Sequence, residues 1–176
     1  ALTSTTATLS FNRSDAYAFG KVISGAGNVS QIGAGTTTLS GSQTYTGTTT
    51  VSAGALVVTG STSTSSAVSV AAGATLAGTG TVGGTVNIGA GNLQPGAAAA
   101  VGSAGTLSTG ALTLASGGSL FVDLAAPGTV GGGVNDLVQV TGNVTLGGTL
   151  KLNALAGFNT SGTCKDATSP AAKTSR

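Results

Sequence analysis

The 176-residue chain has no histidine, tryptophan, methionine or glutamate, one cysteine (Cys164) and three prolines. Only 6% of its residues are charged and 3% are aromatic. A globular domain ordinarily carries about a quarter charged residues, so the shortage itself narrows the function classes. General acid–base chemistry is left with Asp15, Asp123, Asp136 and Asp166 as its carboxylates. Neither a serine nor Cys164 has an imidazole to activate it, and no His or Cys cluster exists to hold zinc. A single cysteine cannot close an internal disulfide. It either pairs between chains or stays a lone thiol in a polar tail. No run of roughly 20 apolar residues is present to form a transmembrane helix, because Gly and Thr interrupt every candidate. Disorder of the usual kind goes with low hydrophobicity and high net charge, whereas the mean hydropathy is +0.39. The composition fits a repeat protein with a Thr, Ser, Gly and Asn surface.

The charges that exist are in the wrong place for nucleic acid. The sequence pI is about 9.0, yet Arg13, Lys21 and Lys151 are matched by Asp15, Asp123 and Asp136 up to residue 160. The excess lies in the tail, where Lys165, Lys173 and Arg176 face only Asp166. A neutral body with a weakly basic tail gives no footprint for phosphate binding.

What the chain does have is glycine (31 residues), threonine and short apolar alternations. The stretch Gly25 to Val58 reads GAGNVSQIGAGTTTLSGSQTYTGTTTVSAGALVV. Branched Thr and Val favour a pleated strand over a helical turn, and each Gly permits a reversal between strands. The phrase recurs as VSVAAGATL, VNIGAGNL, LTLASGGSLFV and VTLGGTLKL. Its starts at Val68, Val86, Leu112 and Val144 are 18, 26 and 32 residues apart. Repetition on this scale predicts a solenoid, in which stacked coils bury equivalent side chains as ladders. At about 20 to 25 residues per coil, residues 1 to 155 make roughly six or seven coils.

Three regions are expected. Residues 1–24 form an N-terminal strand and aromatic cap: Ala7, Leu9 and Phe11 alternate with polar residues, and Phe11, Tyr17 and Phe19 cover an open solenoid end. The alternative is a strand donated to a neighbouring molecule's sheet edge. Residues 25–158 form the repeat body, with GSTSTSS at 60–66 read as a polar turn and two excursions at 94–104 and 126–136. Residues 159–176 are a polar tail without apolar periodicity.

Gly33 to Val58, GAGTTTLSGSQTYTGTTTVSAGALVV, resembles the passenger-associated strand repeat of bacterial autotransporters. Leu39, Gly41, Thr44, Tyr45, Thr46, Gly47, Thr49, Val51, Gly54, Leu56 and Val58 fall on its pattern, and Leu93, Pro95 and Gly96 match a Leu-x-Pro-Gly segment of the family. GTLSTGALTLASGGSLFVDL and NDLVQVTGNVTLGGTLKLN are similar to the later part of such passengers. The resemblance implies an all-β fold, a right-handed parallel β-helix displayed outside a bacterial cell, and no particular activity. The membrane barrel that follows an autotransporter passenger is not in this sequence. Either a fragment or a barrel-less relative accounts for that, and membrane contact is expected only through such a missing barrel. Ala1 is a small residue compatible with processing.

Candidate sites are few. Asp123 is expected exposed beside its strand and Asp136 in a turn, which disfavours a catalytic pair. GGGVNDLV carries only one of the aspartates that calcium-binding Gly/Asp repeats need, and the Gly-rich segments lack the lysine of a phosphate loop. Thr36 to Thr38, Thr44, Thr46 and Thr48 to Thr50 are read as strand surface rather than a flat ice-binding hydroxyl array. Asn28, Asn92 and Asn143 are candidates for stacked turn ladders. No catalytic, cofactor-binding or metal-binding residue is assigned and no cofactor is expected. Leu2, Ala7, Leu9, Phe11 and Cys164 are candidate inter-subunit contacts. The expected function is that of a non-catalytic extracellular subunit of a bacterial surface fibre or matrix, its partner being itself. The alternative is a passenger acting as an adhesin for a surface glycan or protein ligand.

Overall fold

The computed structural model describes residues 1–97, 99, 102–126 and 128–156. Among these every regular element is a β-strand. The first sheet stacks β1 (Thr8–Phe11), β4 (Asn28–Gln31), β7 (Thr49–Val51), β10 (Val68–Val70), β13 (Val86–Ile88), β16 (Leu112–Leu114) and β19 (Val144–Leu146), in that order. The second stacks β2 (Ala16–Phe19), β5 (Thr36–Leu39), β8 (Ala55–Val58), β11 (Thr75–Gly78), β14 (Asn92–Pro95), β17 (Ser119–Leu124) and β20 (Thr149–Ala154). A third side is built from β3 (Ser24–Gly25) with β6 (Thr44–Tyr45), then β9 (Ser61–Thr62), β12 (Thr81–Val82), β15 (Thr106–Thr109) and β18 (Leu137–Val140). All these strand pairs are parallel. Since the order in each sheet skips two strands at every step, the chain winds through three sides and returns one level on. The fold is a parallel β-helix of seven coils.

The repeat starts legible in the sequence are ladder partners. Val68 pairs with Val86, Val86 with Leu112, and Leu112 with Val144. The irregular spacing of 18, 26 and 32 residues is therefore the length of successive coils, the strands staying aligned while the connections grow. Inside the first sheet, Phe11, Gln31, Val51, Val70, Ile88, Leu114 and Leu146 form one file. In the second sheet, Leu56, Leu76 and Leu93 stack likewise. Each branched side chain covers the one beneath it, so the middle coils are closed to water.

Close stacking also dictates where glycine must stand. Gly54 has φ +57°, and a Cβ there would lie 2.2 Å from the carbonyl oxygen of Gly35 in the coil below. No larger residue fits without moving a backbone.

Polar side chains that enter the interior of the second and third coils find hydrogen-bond partners there. The Tyr45 hydroxyl bonds to Thr49 Oγ1, which also meets Ser66 Oγ at 3.1 Å. Thr37 Oγ1 donates to Gln31 Oε1 at 2.7 Å, while Gln31 Nε2 donates to the carbonyl of Gly33 at 2.8 Å. Gln43 accepts from the Ile23 amide at 2.7 Å and donates to the Lys21 carbonyl at 3.1 Å. All of these side chains come from the second and third coils.

Leu76→Ala should lower stability by about 2–5 kcal/mol, because the rigid stack cannot collapse into the cavity. Thr49→Val, which keeps the shape but strands the Tyr45 hydroxyl and Ser66, should cost about 1–3 kcal/mol. Thr113→Ala on the outer face should stay within about 0.5 kcal/mol of the parent. Equilibrium urea unfolding followed by far-UV circular dichroism measures all three.

Candidate functional site

A coil of this helix needs 18 to 20 residues, as the pairs Thr8 with Asn28, Val29 with Thr49 and Val68 with Val86 define. The fifth and sixth coils are longer, and the surplus leaves as two connections, 96–105 after β14 and 125–136 after β17. Residues that leave a ladder lose its hydrogen bonds and need other partners. Four side chains supply them.

Asp123, on β17, accepts the Ser103 amide at 3.1 Å and the Gly102 amide on Oδ2, and the Asn153 side-chain amide at 2.7 Å on Oδ1. Asp136 accepts the Gly105 amide on Oδ1 and the Asp123 amide on Oδ2, both at 2.8 Å. The Asp136 amide in turn donates to the Asp123 carbonyl at 2.8 Å. Asn135 spans the neck of the second connection: Oδ1 accepts from Ala125 and Ala126, and Nδ2 donates to the carbonyls of Ala126 and Thr129. The result is a polar knot that holds both connections to one flank of the rod.

Asp123, expected on the exposed side of its strand, is buried, as are Asn135 and Asp136. The reason is that the connections fold back against the outward register of β17. The two carboxyl groups do meet, but all four of their oxygens are occupied by N–H donors. Their chemistry here is to terminate backbone amides. Burial pushes the Asp136 carboxyl above the usual carboxylate range, against the opposing pull of the Asp123 and Gly105 amides. Among the described residues no group of three or more carboxylate, imidazole or thiol side chains converges.

The tip of the second connection faces outward. Gly131, Gly132 and Gly133 have φ of 59°, 69° and 75°, values that only glycine adopts readily in succession. Their turn leaves Val130 and Val134 exposed. The signal for this site in the sequence was the coil spacing: surplus residues with an aspartate at each end of the longer excursion. Asn135 and Asn153 carried no signal of their own.

The other candidate residues are spread out. Thr36 and Thr38 lie on the second sheet, Thr44 on the third side and Thr50 on the first, while Thr37 and Thr49 point inward and are buried. The threonines therefore form no single flat array. The first sheet instead carries an outward file of Ser10, Ser30, Thr50, Ser69, Asn87, Thr113 and Thr145. Beside it a shallow trough of about 200 Å³ is lined by Thr50, Ser69 and Asn87 on one side and Ser52, Ala71 and Gly89 on the other. Asn28 and Asn92 belong to different sheets. Asn28 accepts from the Thr48 amide and Asn92 donates to Thr75 Oγ1, so these two share no ladder. Leu2, Ala7 and Leu9 are half-buried and Phe11 is buried. Leu2, Leu9 and Phe11 pack on the core of their own chain. Cys164 lies outside the described residues.

The family model of the Passenger-associated-transport-repeat matches residues 29–58. This is the segment that contributes Gln31, Thr37, Gln43, Tyr45 and Thr49 to the buried polar pairs. The match is thus confined to one repeat-length segment of the chain. Over 68 residues it is 47% identical to the Adhesin BmaC autotransporter of Brucella suis biovar 1 (strain 1330), a stretch covering 38% of this chain. The chain spans about 2% of that relative's length. No solved structure gives a significant match. That likeness implies a secreted or surface-held location for the matched segment.

Two outcomes follow from the knot. Asp123→Ala frees the Gly102 and Ser103 amides, so hydrogen–deuterium exchange should accelerate in 102–105 while β10 and β13 stay protected. For pH, a carboxyl raised in the folded state binds its proton more tightly there than in the unfolded chain. Its charge therefore destabilises the fold above the folded value, and stability from Asp136 rises as pH falls from neutral toward the unfolded value near 4. Thermal melts between pH 7 and 4 should show this rise, and Asp136→Asn should flatten it.

Proposed function

We propose that this chain is a non-enzymatic segment of a surface adhesin passenger, a stiff rod that presents the braced pair of connections to a glycan or protein on an opposing surface. The passenger repeat, together with likeness to an adhesin passenger, supports the adhesive class. The observation that carries the location is the polar knot. On a rod of otherwise uniform coils, buried carboxylates and an asparagine are committed to holding two excursions in a fixed shape, and binding residues sit preferentially on loops held by a rigid scaffold. Val130 and Val134 supply apolar contact there. Ligand recognition by such a site is a matter of shape and hydrogen bonding, with little charge steering, because the body carries no net charge.

The test is binding of monomeric protein to glycan and extracellular-matrix arrays, followed by surface plasmon resonance on the hits. Replacing 126–134 with a short Gly-Ser connection should lower affinity for the hit by tenfold or more, equivalent to about 1.4 kcal/mol, without altering the circular dichroism spectrum. Unchanged affinity would move the site to the outer file and trough of the first sheet.

A second reading is a subunit of a surface fibre joined through its terminal segments. Truncation of residues 1–12 or of 161–176 should then abolish filaments seen by negative-stain microscopy. Intact filaments from both truncations would rule that mechanism out.

A further inference from the structure

The second excursion is open at its tip and clasped at its neck. Val130 is 72% exposed, and Gly128, Thr129, Gly132 and Gly133 around it are exposed too. The tip is held on itself by the amides of Val134 and Asn135, which share the Gly131 carbonyl at 3.3 Å. Residues 128–130 belong to no strand ladder, so opening that turn lets them enter a protease cleft as extended chain. Exposed loop tips of small residues are preferred sites of proteolytic nicking, and the rate follows the population of the open form. The side chains select the class of enzyme. Neither 96–105 nor 125–136 contains Lys, Arg, Leu, Phe, Tyr or Trp, so a protease that reads a basic or aromatic residue finds nothing there. One with a shallow pocket for a small aliphatic side chain finds Val130. Val134 is the poorer site, because Asn135 after it is buried and bonded through its side chain.

We propose that Val130 is a scission site for a serine protease that accepts small aliphatic residues, and that the rod survives the cut undivided. Scission adds water across the Val130–Gly131 amide, leaving a carboxylate on Val130 and an ammonium on Gly131. The two halves stay joined because the clasp crosses the cut. Asn135 lies downstream of it, while its partners Ala125, Ala126 and Thr129 lie upstream, with four hydrogen bonds of 2.6 to 3.0 Å between them. Asp136, also downstream, accepts the Gly105 and Asp123 amides. The downstream strands β18, β19 and β20 each pair with an upstream strand, β15, β16 and β17. Cleavage therefore breaks one covalent bond at the tip and leaves three ladders intact. Scission is read from masses and needs no ligand, so it stands or falls apart from the adhesive reading.

The test is a time course of the full chain with pancreatic elastase at low enzyme ratio, read by intact mass spectrometry in denaturant and by size exclusion without it. The expected result is an upstream fragment ending at Val130 and a new N-terminus at Gly131. The nicked protein should elute with the uncut protein and keep its circular dichroism spectrum. Trypsin should leave the parent excursion whole. Val130→Lys should slow elastase at this bond at least tenfold and hand the same bond to trypsin. Elastase cutting elsewhere while the Val130–Gly131 bond stays whole overturns the proposal. In that case trypsin cutting of Val130→Lys would show the enzyme class to be wrong, and resistance to trypsin would show the tip to be closed. Halves that separate without denaturant overturn the clasp.

Discussion

Every other feature of this protein depends on the vertical registration of its coils. A parallel ladder fixes each strand directly over its equivalent one coil earlier, and the side chain at a ladder position can be buried only by its counterparts above and below. Aliphatic residues of similar size meet that demand, so Val68, Val86 and Leu112, or Leu56, Leu76 and Leu93, follow one another. The same rule excludes bulk at the corners, where Gly54 lies against the backbone of Gly35. A charged side chain inside such a stack would face another coil at every level with no route to water. The scarcity of charge in the composition is in this sense a structural requirement of the interior, although the neutral outer face is a separate choice.

Where the chain departs from the common coil length, the ladder no longer satisfies its amides. The polar knot of Asp123, Asn135, Asp136 and Asn153 sits at the two coils that depart most. It shows why two of the chain's few carboxylates are buried: three of their four oxygens accept backbone amides at the two excursions, and the fourth accepts the Asn153 side-chain amide. The buried pairs around Gln31, Gln43 and Tyr45 solve the same problem at the corners of the second and third coils. In both places polar atoms are admitted to the interior where each finds a partner, which is the condition under which their burial is tolerable.

A rod built this way offers three kinds of surface. Its flanks repeat, with an uncharged file of hydroxyl and amide groups along the first sheet. Its two excursions form a local, shaped feature on one flank. Its first coil gathers the rings of Phe11, Tyr17 and Phe19.

The sequence by itself determined the class of fold, a count of six or seven coils and the four ladder partners that open the later repeats, because period-two alternation and recurring Gly are local consequences of strands stacked in register. Val68, Val86, Leu112 and Val144 could be aligned by eye for that reason. The resemblance of Gly33 to Val58 to passenger repeats was likewise readable, since the pattern lies within one contiguous segment. Only the tertiary structure decided which polar residues face inward. Thr37 and Thr36 are neighbours of one type, and their opposite fates follow from strand facing and from Gln31 one side away. It also placed Asp123 in the interior, because the amides that cover it arrive from a connection 20 residues earlier and a strand 30 residues later. Contacts across that distance have no local pattern. Leu150 and Leu152 likewise continue the alternation of Leu120 and Val122 beneath them, yet are 57% and 61% exposed, a difference that no local pattern carries.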